Sequence, residues 1–457
     1  MKALVVSGDR SGTGKTSISL ALASLLSDRA PVQTFKVGMD YIDPSYLSAV
    51  TGRPCRNLDS FVMEDAEIRA CFAHGCSGAG FALIEGVRGL YEGADALTDR
   101  GSTAGVAKDL GVPVILVVNA RSITRSAAAL VKGFQAFDPS IAIRGVILNN
   151  VAGESHTRKA LTAIEHACGI PVLGAIPHEP RIELTMRHLG LVPYREGSRD
   201  DGFRSQLTEV RDLVAAHVDL ERVIACAADL DAAPAGHSPF TVDREPDVTI
   251  GIAYDEAFNF YYADLFDLLP ALGSRVVTFS PVHGKLPEAD GYILGGGYPE
   301  LFGPDLEANE GMKDGLREVS LQGTPIYGEC GGLMYLTDRI VLAPGWRGGK
   351  GESFAMCGVF PGETRMPARR VVSYVEGEAS EASPLGGGRF RGHEFHYSDV
   401  VLEKDTRFAY RITRGLGIRD GLDGALARRT LGTYTHLHPL ASLPMFASFV
   451  QACRTRG

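Results

Sequence analysis

The sequence predicts two α/β domains in series, the first built around a parallel sheet with helices on both faces. Three observations favour this fold class. Continuous apolar runs alternate with amphipathic helical patterns through the first half of the chain, which is typical of parallel strands buried on both faces. A second alternating series begins at Val248. The length of 457 residues also suits two large domains, each with its own core.

The first domain is predicted over residues 1–224, where strands and helices follow one another in turn. The predicted strands are 2–7, Val32–Val37, Phe81–Glu85, Val112–Asn119, Gly145–Asn149 and Pro171–Ile176, and the predicted helices include Thr16–Leu26, Ser126–Phe137 and His156–Cys168. The stretch 225–247, which contains alanine and proline, breaks this alternation. It is therefore predicted to be a linker.

The second domain is predicted over residues 248–457. After the strand that begins at Val248, further strands are expected at Arg275–Phe279, Gly291–Leu294 and Pro325–Gly328. After about Gly351 the sequence becomes rich in strand and turn patterns. This half is thus predicted to be α/β with a strand-rich final part.

Charge and hydropathy exclude several classes of function. The chain has 46 Lys and Arg against 55 Asp and Glu, a net charge of −9, whereas a nucleic-acid binder needs a basic surface. No apolar run approaches the roughly 20 residues of a membrane span, and MKALVVSGDR turns polar too early for a signal peptide. We therefore expect a cytoplasmic protein with small-molecule partners, and a homodimer remains open.

The motif GDRSGTGKT (8–16) predicts a phosphate-binding loop, since it follows a strand and opens a helix. Glycines at 8, 12 and 14 allow backbone N–H groups to surround phosphate oxygens at the positive end of the helix. Lys15 would reach the β- and γ-phosphates of a nucleotide, and the Thr16 hydroxyl would hold Mg²⁺. The first glycine stands one residue earlier than in the usual spacing, and the alternative is a glycine turn before a surface helix.

Carboxylates at strand ends are candidates for the metal side of this site. Glu85 ends the strand Phe81–Glu85, and a residue at that edge of an open α/β sheet points into the ligand crevice. Mg²⁺ prefers such oxygen ligands, so Thr16 and Glu85 are the predicted metal ligands. The alternative for Glu85 is a solvent-facing strand end. Asp40 and Asp43 follow the preceding strand, and by themselves they are more typical of turns.

A second site is predicted at Cys330, in the sequence PIYGECGGL (325–333). A strand, a Gly-x-Cys-x-Gly turn and a helix form a nucleophile elbow, and the helix dipole favours the thiolate. Gly297 and Gly331 can supply backbone N–H donors to an oxyanion, and His436 is the candidate base. None of the eight cysteines forms a CxxC pair, so a metal cluster has no support. The alternative is an inert core cysteine.

These motifs resemble the cobyrinic acid a,c-diamide synthase family, which includes the nickel-sirohydrochlorin a,c-diamide synthases of coenzyme F430 biosynthesis. The resemblance extends from residue 1 to about residue 450, in family order. GECGGLMYL (328–336), GGGYPEL (295–301), GHEFHYS (392–398) and YTHLH (434–438) are similar to its class I glutaminase domain. GDRSGTGKT is similar to its dethiobiotin-synthetase-like P-loop domain, and KVGMDYIDP (36–44) and IEGVRGLYEG (84–93) match its substrate motifs.

The resemblance implies ATP-dependent activation of two tetrapyrrole side-chain carboxylates, followed by amidation with ammonia from glutamine. It implies roles for three groups of residues. ATP and Mg²⁺ would be bound by Gly8, Gly12, Gly14, Lys15, Thr16 and Glu85, with Asn149 near the adenine; glutamine would be hydrolysed by Cys330 and His436; and the tetrapyrrole would meet Asp40, Tyr41, Ile42, Asp43, Arg88 and Glu92.

Three departures from the family pattern affect the site. The usual class I ending is His-x-Glu, but position 438 is His, so we expect a triad without a carboxylate that orients His436. Met39 and Arg88 stand where the cobyrinate enzymes commonly have Pro and Met. Arg88 adds a positive charge suited to a carboxylate-rich ligand, which favours nickel-sirohydrochlorin.

The leading hypothesis is a glutamine-hydrolysing amide ligase. One alternative is a non-catalytic nucleotide switch like the partition ATPases, although a scaffold has no need of a nucleophile elbow. Another is amidation of other peripheral carboxylates, as in cobyric acid synthases, whose chains are longer and whose motifs differ.

Overall fold

The computed structural model describes residues 1–179, 186–187, 190–191, 201–231, 238–346 and 349–455. The chain divides into two compact units, Met1–His237 and Ser238–Gly457. The division falls inside the predicted linker 225–247, of which 232–237 lies outside the described residues. The first part of that stretch is regular structure rather than linker, because a helix runs to Cys226 and Ala228–Asp229 pairs with the first strand.

The first unit is a parallel sheet alternating with helices. Its strands are β1 Lys2–Gly8, β2 Val32–Val37, β3 Arg56–Leu58, β4 Phe81–Glu85, β5 Val114–Asn119, β6 Ile143–Val151, β7 Val172–Pro177, β8 Met186–Arg187, β9 Gly190–Leu191 and β10 Ala228–Asp229. Its helices are α1 Lys15–Ser27, α2 Ile42–Thr51, α3 Asp65–Gly75, α4 Thr103–Leu110, α5 Arg125–Phe137, α6 Glu154–Cys168, α7 Asp201–His217 and α8 Leu220–Cys226.

The strand order β3-β2-β4-β1-β5-β6-β7 places β1 near the middle of the sheet. All neighbours on this path pair in parallel, and β10 adds an antiparallel edge to β1. The central strands are buried along almost their whole length, which explains their continuous apolar sequences. The carboxyl ends of β1, β2 and β4 meet at one edge, where an open α/β sheet binds its ligand.

The second unit combines a parallel half-sheet with antiparallel strands. Its strands are β11 Val248–Ala253, β12 Phe258–Phe260, β13 Ser274–Phe279, β14 Gly291–Leu294, β15 Gly296–Gly297, β16 Ile326–Glu329, β17 Thr337–Leu342, β18 Glu352–Ala355, β19 Phe360–Met366, β20 Val371–Ala379, β21 Gly388–His396, β22 Asp399–Leu402, β23 Arg407–Arg414, β24 Leu422–Ala427, β25 Thr430–Thr433 and β26 His436–Leu437. Its helices are α9 Ala263–Ala271, α10 Gly303–Ala308, α11 Glu310–Leu321, α12 Gly331–Leu336 and α13 Leu443–Arg454, with a 3₁₀ turn at Pro299–Phe302.

The main sheet of this unit has the order β13-β11-β14-β16-β25-β24-β23-β20-β21-β26. The run from β13 to β25 is parallel, and the remaining pairs are antiparallel. β16 lies between β14 and β25, so the turn that follows it is held from both sides. The hydrophobic core packs around α12, whose six residues are all buried.

The structure confirms the predicted α/β class in both halves. Val32–Val37, Phe81–Glu85 and Gly291–Leu294 form strands with the predicted ends. The ends of the other predicted strands differ from the observed ends by no more than two residues. In the described part of the chain, no helix is both long and apolar enough to cross a bilayer.

Candidate active site

The loop between β1 and α1 has the backbone of a phosphate-binding loop. Gly12 and Gly14 adopt φ values of 76° and 89°, in the left-handed region that glycine enters without strain. Gly8 packs against the Thr13 hydroxyl, where a Cβ atom would come within 2.5 Å. The loop thus requires glycine at these positions for physical reasons, and α1 begins directly behind it with Lys15.

The Lys15 side chain folds back over this loop and is buried. Its Nζ atom lies 3.4 Å from the carbonyl oxygen of Arg10, and only 8% of the residue is exposed. Burial lowers the pKa of Lys15, and the nearby Lys36 ammonium lowers it further. Among the described residues, no carboxylate forms an ion pair with this ammonium, so it is suited to a phosphate group that replaces the lost hydration.

The carboxyl ends of β2 and β4 bring four side chains together beside the loop. The Thr16 hydroxyl donates to Glu85 Oε1 at 2.7 Å, and Lys36 Nζ lies 2.8 Å from the same oxygen. Lys36 also lies 2.6 Å from Asp43 Oδ2, which is 3.4 Å from the Thr16 hydroxyl. The structure therefore places Thr16 and Glu85, the predicted metal ligands, in one cluster with Asp43 at the carboxyl ends of these strands.

Lys36 is the member of this cluster that sequence reasoning missed. The signal was available, because a lysine is unusual in a strand that is predicted to be buried on both faces. Burial acts against the charge, but the carboxylates of Asp43 and Glu85 hold the pKa of Lys36 well above its usual range. Lys36 is thus a buried cation, with 4% of its side chain exposed.

The donor set at this cluster fits Mg²⁺. Glu85 Oε2 is buried and has no hydrogen-bond partner among the described residues, so it has an oxygen lone pair to offer. The Thr16 hydroxyl adds a second oxygen ligand, and Mg²⁺ ordinarily takes only one or two protein carboxylates with water and phosphate. In the described ranges, His, Cys, Asp and Glu side chains nowhere gather in threes as a metal cage.

Residues 40–42 of the substrate motif have structural roles at the start of α2. Asp40 Oδ1 accepts the N–H groups of Ile42 and Asp43 at 2.8 and 3.1 Å, which caps α2. Tyr41 and Ile42 are buried, at 9% and 6% exposure. Burial, together with the Asp43 carboxylate, raises the pKa of Asp40 to about 7. Asp40 is therefore a turn-forming aspartate, which is the alternative that its sequence pattern favours.

The remaining predicted residues of the first unit lie on β6 and on the segment that follows β4. Asn149 Nδ2 donates to the carbonyl oxygen of Thr13 at 2.8 Å and packs on Gly14, so it supports the phosphate-binding loop itself. Arg88 and Glu92 are exposed on the segment after β4. Arg88 adopts a φ of 50°, an uncommon value for a residue with a side chain.

In the second unit, Cys330 stands at a strained turn between β16 and α12. Its φ and ψ are 47° and −95°, which is the strain expected of a nucleophile elbow. Its N–H donates to the Thr433 carbonyl at 2.7 Å, which ties the turn to β25. Its Sγ atom lies 3.8 Å from the Phe395 carbonyl. Cys330 thus stands directly before the first residue of α12.

Gly297 and Gly331 lie beside each other next to this thiol. A Cβ atom added to Gly331 would be 3.1 Å from the Gly297 nitrogen. Gly297 has a φ of 155° and packs directly on the Ala257 carbonyl, which leaves no room for a side chain. An oxyanion hole requires two such backbone amides, and Gly297 and Gly331 are the predicted donors.

His436 is buried and forms a hydrogen bond with Cys330, and a carboxylate also faces its ring. Glu329 Oε2 lies 3.3 Å from His436 Nδ1. The expectation that no carboxylate orients His436 is therefore wrong, because Glu329, the residue before the nucleophile, occupies that place. His438 does not contribute, since its Nε2 lies 3.6 Å from Asp264 Oδ2 in the interior.

Burial lowers the pKa of His436, but hydrogen bonds to Cys330 and Glu329 outweigh it and raise the value to about 10. The imidazole is therefore protonated at neutral pH. A Cys–His pair of this kind attacks amides and carries the acyl group as a thioester.

The fold and these two sites define an amide-forming ligase, with a P-loop nucleotide-binding domain and a class I glutaminase domain in one chain. Residues 4–192 match the CobQ/CobB/MinD/ParA nucleotide binding domain, and residues 249–443 match the CobB/CobQ-like glutamine amidotransferase domain. The chain belongs to the cobyrinate a,c-diamide synthase family, as its relatives establish.

Cobyrinate a,c-diamide synthase of Methanosarcina barkeri is 46% identical, over 99% of this chain and 96% of its own length. The enzymes of that name from Methanothermobacter thermautotrophicus and Methanocaldococcus jannaschii are 42% and 41% identical over 97% and 98% of this chain, and over 98% of their own length in both cases. Among solved structures, PurLQS from Thermotoga maritima matches 46% of this chain and 99% of its own, at 16% identity and a TM-score of 0.35.

Proposed function

We propose that this protein uses ATP, Mg²⁺ and glutamine to amidate the a- and c-acetate carboxylates of a tetrapyrrole through acyl phosphates. The observation that carries this proposal is the presence, in one chain, of the buried Thr16–Glu85–Lys36 cluster and the Cys330–His436 pair. The first suits activation of a carboxylate by phosphoryl transfer, and the second suits release of ammonia from glutamine.

On the ATP side, a substrate carboxylate oxygen attacks the γ-phosphorus, and the bond to the β-bridging oxygen breaks, giving an acyl phosphate and ADP. Negative charge grows on the oxygens that leave and transfer, and Lys15 is the loop cation available to neutralise it. Thr16 and Glu85 would hold Mg²⁺, which adds positive charge on the phosphates when bound. Lys36 forms ion pairs with Glu85 and Asp43 and holds both side chains in place.

On the glutamine side, the Cys330 thiolate attacks the side-chain amide carbon while the Gly297 and Gly331 amides stabilise the oxyanion. His436 gives its proton to the leaving nitrogen, so ammonia departs and a thioester remains. Water then attacks the thioester, His436 takes a proton from it, and glutamate leaves. The ammonia displaces phosphate from the acyl phosphate to give the amide.

The relatives' names make cobyrinate the first acceptor to test. Nickel-sirohydrochlorin is the second acceptor to test. It is favoured by the exposed positive charge of Arg88, which lies in the substrate motif 84–93 just after β4. Both are rich in carboxylates, so both suit a cationic position. The partition-type switch is disfavoured by the elbow at Cys330, which a switch does not need.

The testing experiment supplies purified protein with ATP, Mg²⁺, glutamine and each macrocycle in turn, and counts amides by mass spectrometry. We expect two amides on cobyrinate, on nickel-sirohydrochlorin or on both, and ATP hydrolysis that depends on the macrocycle. More than two amides would instead support cobyric acid synthase-like chemistry. ATP hydrolysis indifferent to every macrocycle, with no amide formed, would refute the proposal.

A further inference from the structure

We propose that Glu329 is the positioning residue of the glutaminase triad, so that the carboxylate comes from the residue before the nucleophile rather than from position 438. This inference rests on the proposed function and deepens it. The triad order along the chain is then carboxylate, nucleophile and base, with the first two adjacent.

The local backbone explains how adjacent residues face the same imidazole. Glu329 is the last residue of β16, and the turn at Cys330, with its positive φ, reverses the direction in which the next side chain points. β16 pairs with β25, so Glu329 lies opposite Thr433, three residues before His436. The strained turn thus brings both the thiol and the carboxylate within hydrogen-bond reach of His436.

The two oxygens of Glu329 have separate partners. Oε1 accepts the backbone N–H of Leu437 at 3.1 Å and the hydroxyl of Tyr327. Oε2 faces His436 Nδ1 at 3.3 Å. All of these contacts are buried, so Glu329 is fixed before substrate arrives. One oxygen held by the backbone and the other presented to the imidazole is the arrangement by which a triad carboxylate sets the histidine tautomer.

The neighbouring titratable groups do not replace Glu329 in this role. The His393 ring stacks on His436 with 4.8 Å between centroids, and burial, aided by His436, holds the pKa of His393 well below its usual range. Burial likewise lowers the pKa of His396 to about 4. Both rings are neutral at physiological pH. Among the described residues, Cys330, Glu329 and, behind the carboxylate, Tyr327 also lie around the base.

Glu329 therefore has a defined part in each proton transfer. It stabilises the imidazolium while His436 holds the proton that will leave with ammonia, and it keeps Nδ1 protonated so that the other ring nitrogen faces the thiol. When water attacks the thioester, the carboxylate again stabilises the protonated base. Glu329 does not touch glutamine, and it acts through His436 throughout.

The experiment compares wild type with Glu329→Gln, which keeps shape and removes charge, and with Glu329→Asp, which keeps charge. Glu394→Gln is the matched control, since Glu394 is an equally buried carboxylate of the same unit that binds the amides of Leu416 and Gly417 instead. Two readouts are taken on the full chain across pH: alkylation of Cys330 by iodoacetamide, located by mass spectrometry, and glutamate release from glutamine. Thermal unfolding and amidation from ammonium chloride report folding.

We expect Glu329→Gln to release glutamate about 10²- to 10⁴-fold more slowly. The alkaline limb of its rate profile should move towards neutral pH by about one unit or more, because the imidazolium has lost its counter-charge. Alkylation at neutral pH should slow as well. Glu329→Asp should recover part of the rate of glutamate release and part of the rate of alkylation. Glu394→Gln should keep the wild-type rates and pH profile.

A Glu329→Gln protein with wild-type rates and an unchanged pH profile would overturn the positioning role while leaving the proposed function intact. A profile shift shared equally by Glu394→Gln would also overturn it, since the effect would then be a general loss of buried charge. A wild type that neither alkylates at Cys330 nor releases glutamate would overturn the proposed function, and this inference with it.

Discussion

Lys36 and Glu85 stand directly opposite each other on neighbouring parallel strands and form a buried ion pair, with 2.8 Å between Nζ and Oε1. The same Glu85 oxygen accepts the hydroxyl of Thr16. The sheet register therefore connects the phosphate-binding loop to the strand before the substrate motif. Because both charges are out of water, the pair is tolerated only while both partners are present.

The first prediction concerns the energetics of this pair. Lys36→Met should destabilise β2 and β4 by about 3 kcal/mol, because it leaves a buried carboxylate without its counter-charge. Lys36→Met combined with Glu85→Gln should recover more than half of that loss. Hydrogen exchange of the β2 and β4 amides measures both changes. Additive losses in the double variant would contradict a coupled pair.

Lys15→Ala should lower amidation by about 10²- to 10³-fold with either glutamine or ammonium chloride as nitrogen source. The reason is that the γ-phosphoryl group loses its loop cation, while the glutaminase unit is untouched. The lysine is buried but makes no ion pair in the described structure, so folding should be retained. Lys159→Ala, on the exposed face of α6, is the control. Near-wild-type amidation in Lys15→Ala would refute the phosphate-site assignment.

Asp40 should make stability depend on pH in the direction opposite to most carboxylates. Burial, with help from Asp43, raises its pKa to about 7 from the ordinary 3.8. The folded chain then holds a proton that the unfolded chain has released, so stability falls as pH rises between those values. Asp40→Asn should keep the α2 cap without titrating. The difference in Tm between this variant and wild type should therefore increase in favour of the variant as pH rises from about 4 to about 7.

The control for that measurement is Asp95→Asn. Asp95 accepts the amides of Leu97 and Thr98 in the same local pattern, but on an exposed loop. Its substitution should leave the difference in Tm nearly constant with pH. If Asp40→Asn behaves the same way, the raised pKa of Asp40 is refuted.

Arg88→Met and Met39→Pro should shift preference between cobyrinate and nickel-sirohydrochlorin. The exposed Arg88 guanidinium offers charge-assisted hydrogen bonds to peripheral carboxylates. Removing it should weaken the binding of whichever macrocycle places a carboxylate there. Arg88→Lys keeps the charge but loses the bidentate geometry, so it should fall between. The ratio of kcat/KM values for the two macrocycles is the measurement. An unchanged ratio in both variants would remove these positions as specificity determinants.

Local patterns in the sequence predicted the elements and the positions of Lys15, Thr16, Glu85 and Cys330. Strand ends and glycine turns are encoded by neighbouring residues, which is why those predictions placed these side chains at the strand ends and turns where the structure has them. Lys36 was missed although it lies in a correctly predicted strand. Its partner Glu85 is 49 residues away, and only the strand order β2-β4 makes them neighbours.

Glu329 was missed for a related reason. The class I pattern places a carboxylate two residues after the histidine, but that position is His438, which pairs with Asp264. The carboxylate that faces His436 is 107 residues earlier in the chain, brought there by the pairing of β16 with β25. The dipeptide Glu329-Cys330 was visible in the sequence, but its meaning depends on the positive φ of the cysteine.

The most direct test of the central claim, that one unit activates the carboxylate and the other supplies ammonia, is amidation by Cys330→Ala with two nitrogen sources. Product is measured by mass spectrometry at saturating ATP and macrocycle, with glutamine and then with ammonium chloride. We predict loss of amidation with glutamine, because no thioester forms without the thiol, and retained amidation with ammonium, rising with pH as the neutral amine increases. A folded, ATP-binding Cys330→Ala protein that is inactive with both sources would contradict the claim.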